Sequence, residues 1–478
     1  MSDHTTDSVP SSSFSLRAWL ARLADSGRLV VAPPKVALRH ELAAIAKRLD
    51  GQAAVMFPRP DDHPVSVVSG FLSRREWIAE AMGVSGAQLL SAFQKAVAAP
   101  IPWQEVEDAS CQQIVHRQDL DVARILPIPT HSEHDSGPYI TAGMVVARNP
   151  DTGVQNASII RIQVHAPDRM ALLMLPRDLH AFYRAAVHRG EPLAVAIVIG
   201  VDPLTLLSSQ AILPIDTDEL EVAGALHGAA LPVVKCLTSE IRVPANAEIV
   251  IEGRILIDER AIEGPFGEFP RYYSEKAERE VIAVDAITHR REPLFHTIVP
   301  AEMEHLLLGA IPREATLLSV LQKSHPDVVD VHLSVGGVCR YHLFVRLHKR
   351  LEGQPKNIIA FALGAHADIK HVVVVDDDVD VQDPRQVEWA IATRFQAAHD
   401  LVVISGARGS ILDPSATVHA SAGEEGISSK MGLDATRPLR FEGHVFTRVA
   451  IPGEAEVDVA ALLSRGVEDK ILEMLRLG

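Results

Sequence analysis

The 478-residue sequence predicts an α/β (α+β) protein in three parts, and three observations carry that reading. The chain is too long for one ordinary hydrophobic core, which points to about three domains of roughly 150 residues each. Near residue 112 its texture shifts from helical periodicity to short β-rich runs, and near residue 311 it shifts again to strands alternating with helices. The expected parts are a disordered tail at 1–13, a small N-terminal α/β domain at 14–111, a central β-rich domain at 112–310, a C-terminal α/β domain at 311–455 and a closing helix at 456–478.

Each part follows from local pattern. The opening "MSDHTTDSVPSSS" has neither the basic stretch nor the apolar core of a secretory leader. "FSLRAWLARLADSG", "HELAAIAKRLD" and "SRREWIAEAMG" repeat apolar residues at helical spacing, with "AAVMF" and "HPVSVVSG" as strands between them. In the centre, "GPYITAGMVVARNPDTGVQNASIIRIQV" reads as two strands joined around Asn149–Gly153. The helix "RDLHAFYRAAVHRG" follows, then the strands "LAVAIVIG", "ALPVVKCL", "AEIVIEGRILI" and "REVIAVDAITHR", as in an antiparallel barrel or sandwich. After residue 311, "PREATLLSVLQKS", "PKNIIAFALGA" and "PRQVEWAIATRF" read as helices, set among the strands "VVDVHLSV", "CRYHLFVRL" and "HVVVVDDDVD". The closing "AALLSRGVEDKILEMLRLG" reads as one amphipathic helix with no core of its own, expected to pack on another domain or subunit.

Composition removes several function classes. A formal charge of −16 argues against a nucleic-acid or anionic-membrane surface. No apolar run approaches the roughly 20 residues that span a bilayer. Cys111, Cys236 and Cys339 lie far apart, unlike a disulfide framework or a Cys-rich zinc site, which fits a reducing cytoplasm. No Walker loop, dinucleotide glycine motif or serine-hydrolase elbow is present.

Four stretches could carry chemistry. "EGPFGEFPRYYS" sets Glu263 and Glu268 five positions apart around Gly264, Pro265 and Gly267. That spacing suits neither a strand face nor a helix face, so a shaped loop must bring the acids together if they meet. Two carboxyls in one cavity are the raw material of a proton donor and an ionised partner; the plainer reading is a solvated turn. "TGVQNASIIRIQV" places Arg161 among Ile159, Ile160 and Ile162, where an inward guanidinium needs a carboxylate and an outward one needs only water. "HVVVVDDDVDVQDP" gathers Asp376, Asp377, Asp378 and Asp380 at a strand end, as in a metal-dependent hydrolase or, more plainly, a helix-capping strand end. "SSKMGLDATRP" offers Lys430 as a point charge for a phosphate.

Taken in order, "GPYITAGMVVARNPDTGVQNASIIRIQV", "VKCLTSEIRVPANAEIVIEG", "IEGPFGEFPRYYS", "HVVVVDDDVDVQDP" and "SSKMGLDATRP" resemble the UbiD family of reversible decarboxylases, from about residue 15 to the end. The resemblance implies a central split-barrel flavin-binding domain and prenylated flavin mononucleotide (FMN) as cofactor. It implies Arg161, Glu263 and Glu268 as the catalytic set, with Glu268 as proton donor and Glu263 paired to Arg161. Asn156 matches a ligand of the divalent metal, Mn2+ by preference, that bridges the cofactor phosphate, with K+ as an additional ion. Lys430 matches a phosphate-binding lysine, while Ile159, Ile160, Leu173, Met174 and Leu175 would line the flavin.

Two positions depart from the family pattern. Leu237 stands where many members carry a metal-binding Glu, and Asp178 stands at the family's metal His, leaving Asp178 and, less well, Glu240 as substitutes. "LPIPTHSEHDSGPYITAG" and "IPREATLL" are most similar to the branch acting on furan and pyrrole carboxylates, with His296, Glu302 and His305 near the substrate; a phenolic or acrylic acid is the alternative within the family. The implied partners are a carboxylic acid and CO2, a flavin prenyltransferase as cofactor supplier, and further copies of the chain in a dimer or higher homo-oligomer.

Overall fold

The computed structural model describes residues 14–418, 426–441 and 445–476. The tail at 1–13 therefore lies outside the described residues. The chain divides into a large unit, residues up to 349 with 353–436, and a small one, 350–352 with 437 onward.

The core of the large unit is a nine-stranded antiparallel sheet. Its path runs Tyr139–Ile140, Ile162–Ala166, Arg169–Leu172, Ala277–His289, Ile249–Glu263, Leu193–Ile199, Met144–Arg148, Gln155–Ile159, with Ile114–His116 added beside Ala277–His289. Both faces are buried. Along Leu193–Ile199, Val195, Ile197 and Ile199 enter one apolar cluster while Ala196 and Val198 enter another, and Met144–Arg148 divides in the same way. Strands covered on both sides read as continuous apolar runs, which is why "LAVAIVIG" shows no alternation.

The stretch expected as two strands is four, broken at Gly143 and at Ile160–Arg161. The second break has a topological cause. Gln155–Ile159 and Ile162–Ala166 are joined by two residues yet stand six inter-strand steps apart along the path. In a flat sheet that separation would be roughly 29 Å, against a reach of about 10 Å for so short a link. The sheet must curl on itself, so that its ends meet in an open seam that the ladder does not close, and Arg161 sits at that seam.

The longest strands, Ile249–Glu263 and Ala277–His289, form a hairpin with Glu263 opposite Ala277, and residues 264–276 form its connection. Three further sheets accompany it, the smallest pairing Arg242–Pro244, Pro232–Lys235 and Gln104–Glu105. Four strands pair in the order Leu29–Val31, Ala54–Phe57, Ser66–Ser69, Leu294–His296, the last joining in parallel from far along the chain. Five strands, Val328–Leu333, His342–Leu347, His371–Asp376, Ile427–Ala435 and Leu401–Arg408, make the C-terminal sheet, packed by the helices Met303–Ser324 and Gln354–Ala365.

In the small unit the expected closing helix is two, Val459–Ser464 and Asp469–Arg476. Gly466, at φ +67°, breaks the run between them. Leu462, Leu463, Met474 and Leu475 are exposed. No membrane-length apolar helix occurs among the described residues.

Candidate active site

Glu263 ends a strand, and Gly264 turns the chain away from it at φ +88°, where a Cβ would stand 2.7 Å from the Glu275 carbonyl oxygen. Glycine is therefore required there on two counts. The Gly264–Pro265 bond is cis. Beyond it the loop forms a small antiparallel bridge between Gly267 and Tyr273, with the Glu268 amide donating to the Tyr272 carbonyl (2.9 Å). The Gly267 amide donates to Asp135 Oδ1 (2.9 Å), and burial raises that carboxyl above the usual range.

The loop and the seam meet at one guanidinium. Arg161 donates from Nε to Glu263 Oε1 and from Nη2 to Glu263 Oε2, both at 2.9 Å, and its Nη1 pairs with Glu268 Oε1. Its carbon lies 5.1 Å from the centre of the Phe266 ring. Glu263 is fully buried, whereas the Glu268 side chain keeps 11% exposure. The fork-on-fork contact fixes Arg161 in both distance and plane, and a lysine could not reproduce it.

Three side chains not singled out by sequence complete this arrangement. The Tyr139 hydroxyl donates to Glu263 Oε1 (3.0 Å) and lies 3.1 Å from Gln163 Oε1. Ser274 Oγ accepts from both Arg161 Nη2 and the Phe266 amide, each at 3.2 Å, tying the loop to the arginine. Ile159, Ile160, Leu173, Met174 and Leu175 are all half-buried near the seam, the last three just beyond the strand Arg169–Leu172 rather than within one.

Asn156 is buried, and its amide donates to Glu219 Oε1 (2.9 Å), while the Ala157 amide donates to Glu219 Oε2 (2.7 Å). Burial pushes the Glu219 carboxyl up to about 8, with the charges of Asp218 and Asp178 adding to the rise. The carboxylate beside Asn156 thus comes from the start of the helix Glu219–His227. Leu237 is exposed; its backbone amide donates to Glu252 Oε1 (2.9 Å) and its carbonyl accepts from Arg117 Nη2 (3.4 Å). Glu240 stands in solvent against Lys235 and Arg242, so it is no substitute ligand. Nothing in "DTDELEVAGALHG" sets Glu219 apart from an ordinary acidic helix start, so sequence carried no signal for it.

Among the described residues no three His, Cys, Asp or Glu groups form a ready-made metal cage. Asn156, Glu219 and Asp178 supply hard oxygen donors, and the raised Glu219 carboxyl is one that a cation would ionise, so the set fits a divalent metal in type.

The other candidates separate. Lys430 is buried and donates to the carbonyls of Leu363 (3.0 Å), Ala367 (3.1 Å) and His366 (3.4 Å), capping the end of the helix Gln354–Ala365. Asp376 and Asp378 grip Arg394, Asp377 meets His348 (2.6 Å), and Asp383 caps the helix Pro384–Arg394. Those acids are thus engaged with neighbouring side chains and a helix start. His296 is fully buried, 4.4 Å from the Phe71 ring centre and 3.5 Å from Glu304 Oε2; Glu302 pairs with Lys47, and His305 Nδ1 accepts from the Ala301 amide.

Known proteins place this geometry. The chain matches the 3-octaprenyl-4-hydroxybenzoate carboxy-lyase N-terminal domain over residues 20–97, the Rift-related domain over 104–303 and the C-terminal domain over 306–435. It is 38% identical over 424 residues to the anhydromevalonate phosphate decarboxylase of Methanothermobacter thermautotrophicus, covering 89% of this chain and 97% of the relative. The UbiD-class enzyme HmfF from Pelotomaculum thermopropionicum, solved with FMN, superposes with a TM-score of 0.90 at 46% identity, over 93% of this chain and 99% of that one. Its evolved dimeric form was solved with prenylated FMN (TM-score 0.87, 44% identity, 94% and 99% covered). The apo 3,4-dihydroxybenzoic acid decarboxylase of Enterobacter cloacae gives a TM-score of 0.86 at 28% identity, over 92% and 97% of the two chains. The chain belongs to the UbiD family of carboxy-lyases.

Proposed function

We propose that this carboxy-lyase removes CO2 from an unsaturated or heteroaromatic acid of the furan or pyrrole type, with Arg161, Glu263 and Glu268 as its catalytic residues. One observation carries the assignment: a single buried guanidinium holds one carboxylate through two nitrogens and a second carboxyl through the third. Glu263 is gripped at both oxygens and holds Arg161 in place. Glu268, gripped at one and still partly exposed, is the carboxyl free to carry and release a proton.

Prenylated FMN, when bound, supplies the electron sink that the ring carbon needs when CO2 departs. Arg161 orients the substrate carboxylate. As the C–C bond breaks, CO2 leaves without the bonding pair and the Glu268 proton takes its place on the ring carbon, which is general acid catalysis from a positioned donor. Ile159, Ile160, Leu173, Met174 and Leu175 line the flavin, and Asn156, Glu219 and Asp178 would hold a Mn2+ that neutralises its phosphate. Lys430 acts on that phosphate only if it leaves its three carbonyls. HmfF, solved with prenylated FMN, supports the cofactor, and its dimeric form, together with the exposed Leu462, Leu463, Met474 and Leu475, supports a homo-oligomer.

The test is an absorption spectrum of protein made with and without a flavin prenyltransferase, followed by CO2 release from furan- and pyrrole-2-carboxylate. A modified-flavin spectrum with turnover only in the first preparation is expected. Equal turnover in both would remove the cofactor assignment, and release from 3,4-dihydroxybenzoate alone would move the substrate to the phenolic acids.

A further inference from the structure

Glu268 stands on a loop that the rest of the chain grips at few points. From Pro265 to Tyr273, apart from the contact of Glu268 with Arg161, three consecutive residues supply every hydrogen bond between the loop and other parts of the chain, among the described residues. The Ser136 amide donates to the Pro265 carbonyl (3.0 Å), the Gly267 amide donates to Asp135 Oδ1 (2.9 Å), and the His134 amide donates to the Tyr273 hydroxyl (3.3 Å). The Phe269 ring packs beside Arg340, whose guanidinium carbon is 5.0 Å from its centre, and beside the Tyr341 ring at 5.5 Å. Tyr272 and Tyr273 are exposed, so this stretch is held mainly from the side of residues 134–136.

Asp135 is the one of the three that grips with its side chain. Its Oδ2 accepts from the Ser132 amide (2.8 Å), and its own amide donates to the Ser132 carbonyl (3.1 Å), so a tight turn in its own segment aims the carboxylate. Only 7% of the residue is exposed. The peptide it holds joins Phe266 to Gly267, with the ring that lies against Arg161 on one side and the residue before Glu268 on the other. The loop is pressed against this turn, since a Cβ on Gly267 would stand 2.9 Å from Ser132 Oγ and 3.7 Å from Asp135 Oδ1. A carboxylate that accepts from two backbone amides holds more firmly than a neutral group. Asparagine could not replace it, because only one of its two side-chain heads accepts.

We propose that Asp135 is a positioning residue for the proton donor: by holding the Phe266–Gly267 peptide it keeps Glu268 against Arg161 and in reach of the carbon that loses CO2. This rests on the decarboxylase reading for the role of Glu268. Asp135 acts through the backbone and moves no proton; it sets how much of the time the donor stands where it can react. Its loss should therefore appear in the chemical step, while binding of the acid at Arg161, which Glu263 holds, stays as it was.

Amide hydrogen exchange and steady-state kinetics of the flavin-loaded protein test it together. Asp135→Asn should speed exchange in the segment 264–274 by about 10–100-fold, the size of one hydrogen bond to a charged group. It should lower kcat for CO2 release from pyrrole-2-carboxylate by a similar factor, with KM within about twofold and flavin content unchanged. Should Asp135→Asn fold poorly, Gly267→Ala, which pushes the loop off the same turn, should give both effects, and adding Ser132→Ala, which removes the hydroxyl it would strike, should reverse most of each. An unchanged exchange rate overturns the proposal. So does faster exchange with kcat unchanged, which would leave Asp135 a structural support alone, and so does a rise in KM or a loss of flavin in place of the fall in kcat. If the wild type releases CO2 from none of the furan, pyrrole or phenolic acids while Asp135→Asn still loosens the loop, the decarboxylase reading fails and the hold of Asp135 on the loop stands.

Discussion

Phe266 and Phe269 lie three residues apart on one loop, and each carries a guanidinium at about the same height, 5.1 and 5.0 Å. Their electrostatic situations are opposite. Arg161 is surrounded by more carboxylate than it can neutralise, with both Glu263 and Glu268 on it, whereas Arg340 has no carboxylate in contact among the described residues. The protein completes the first site with its own acids.

The comparison breaks most visibly at Arg161. Arg161→Met would strand two buried carboxyls, so we expect loss of turnover together with about 3–5 kcal/mol of stability, read as a large drop in melting temperature. Glu268→Gln keeps the shape and the contact to Arg161 but removes the transferable proton. It should lower turnover by about 10²–10⁴-fold with flavin content unchanged, measured by CO2 release against flavin absorbance. Glu219→Gln or Asp178→Ala should lower bound Mn2+ and loosen the flavin phosphate, which elemental analysis and flavin stoichiometry would record as a roughly tenfold or greater loss of metal affinity. The smallest effect is the most discriminating: Arg340→Met leaves no acid unpaired, so its melting temperature should stay level or rise, opposite in sign to Arg161→Met.

Legibility in the sequence followed chain distance. The loop at 263–274 announced itself because Gly264, Pro265 and Gly267 are local facts about backbone, and the curled sheet at Ile160–Arg161 could not be read because it depends on pairing between strands about a hundred residues apart, Arg169–Leu172 with Ala277–His289. Arg161 was weighed evenly between surface and interior, and Glu263 decides it from 102 residues away. Glu219, Tyr139 and Ser274 were missed for the same reason: each is an unremarkable residue in its own window and acquires a partner only in three dimensions. Leu237 and Glu240 drew attention by their place after "VKC", yet strand pairing turns that segment to solvent. Lys430 was legible as a point charge for a phosphate but not as one already held by three carbonyls.

The strand Leu294–His296, which completes the first sheet beside Ser66–Ser69, has a consequence for synthesis. A ribosome adding roughly 5–20 residues per second needs about 10–45 s to make the chain between those two strands. During that interval the edge at Ser66–Ser69, with Val67 and Val68 destined for full burial, has no neighbour on its outer side. The N-terminal segment therefore cannot reach its final form as a nascent domain, and expressed by itself it would present an open strand edge to other copies. Its completion waits for nearly all of the central sheet, so the part of the chain made first is among the last to be finished.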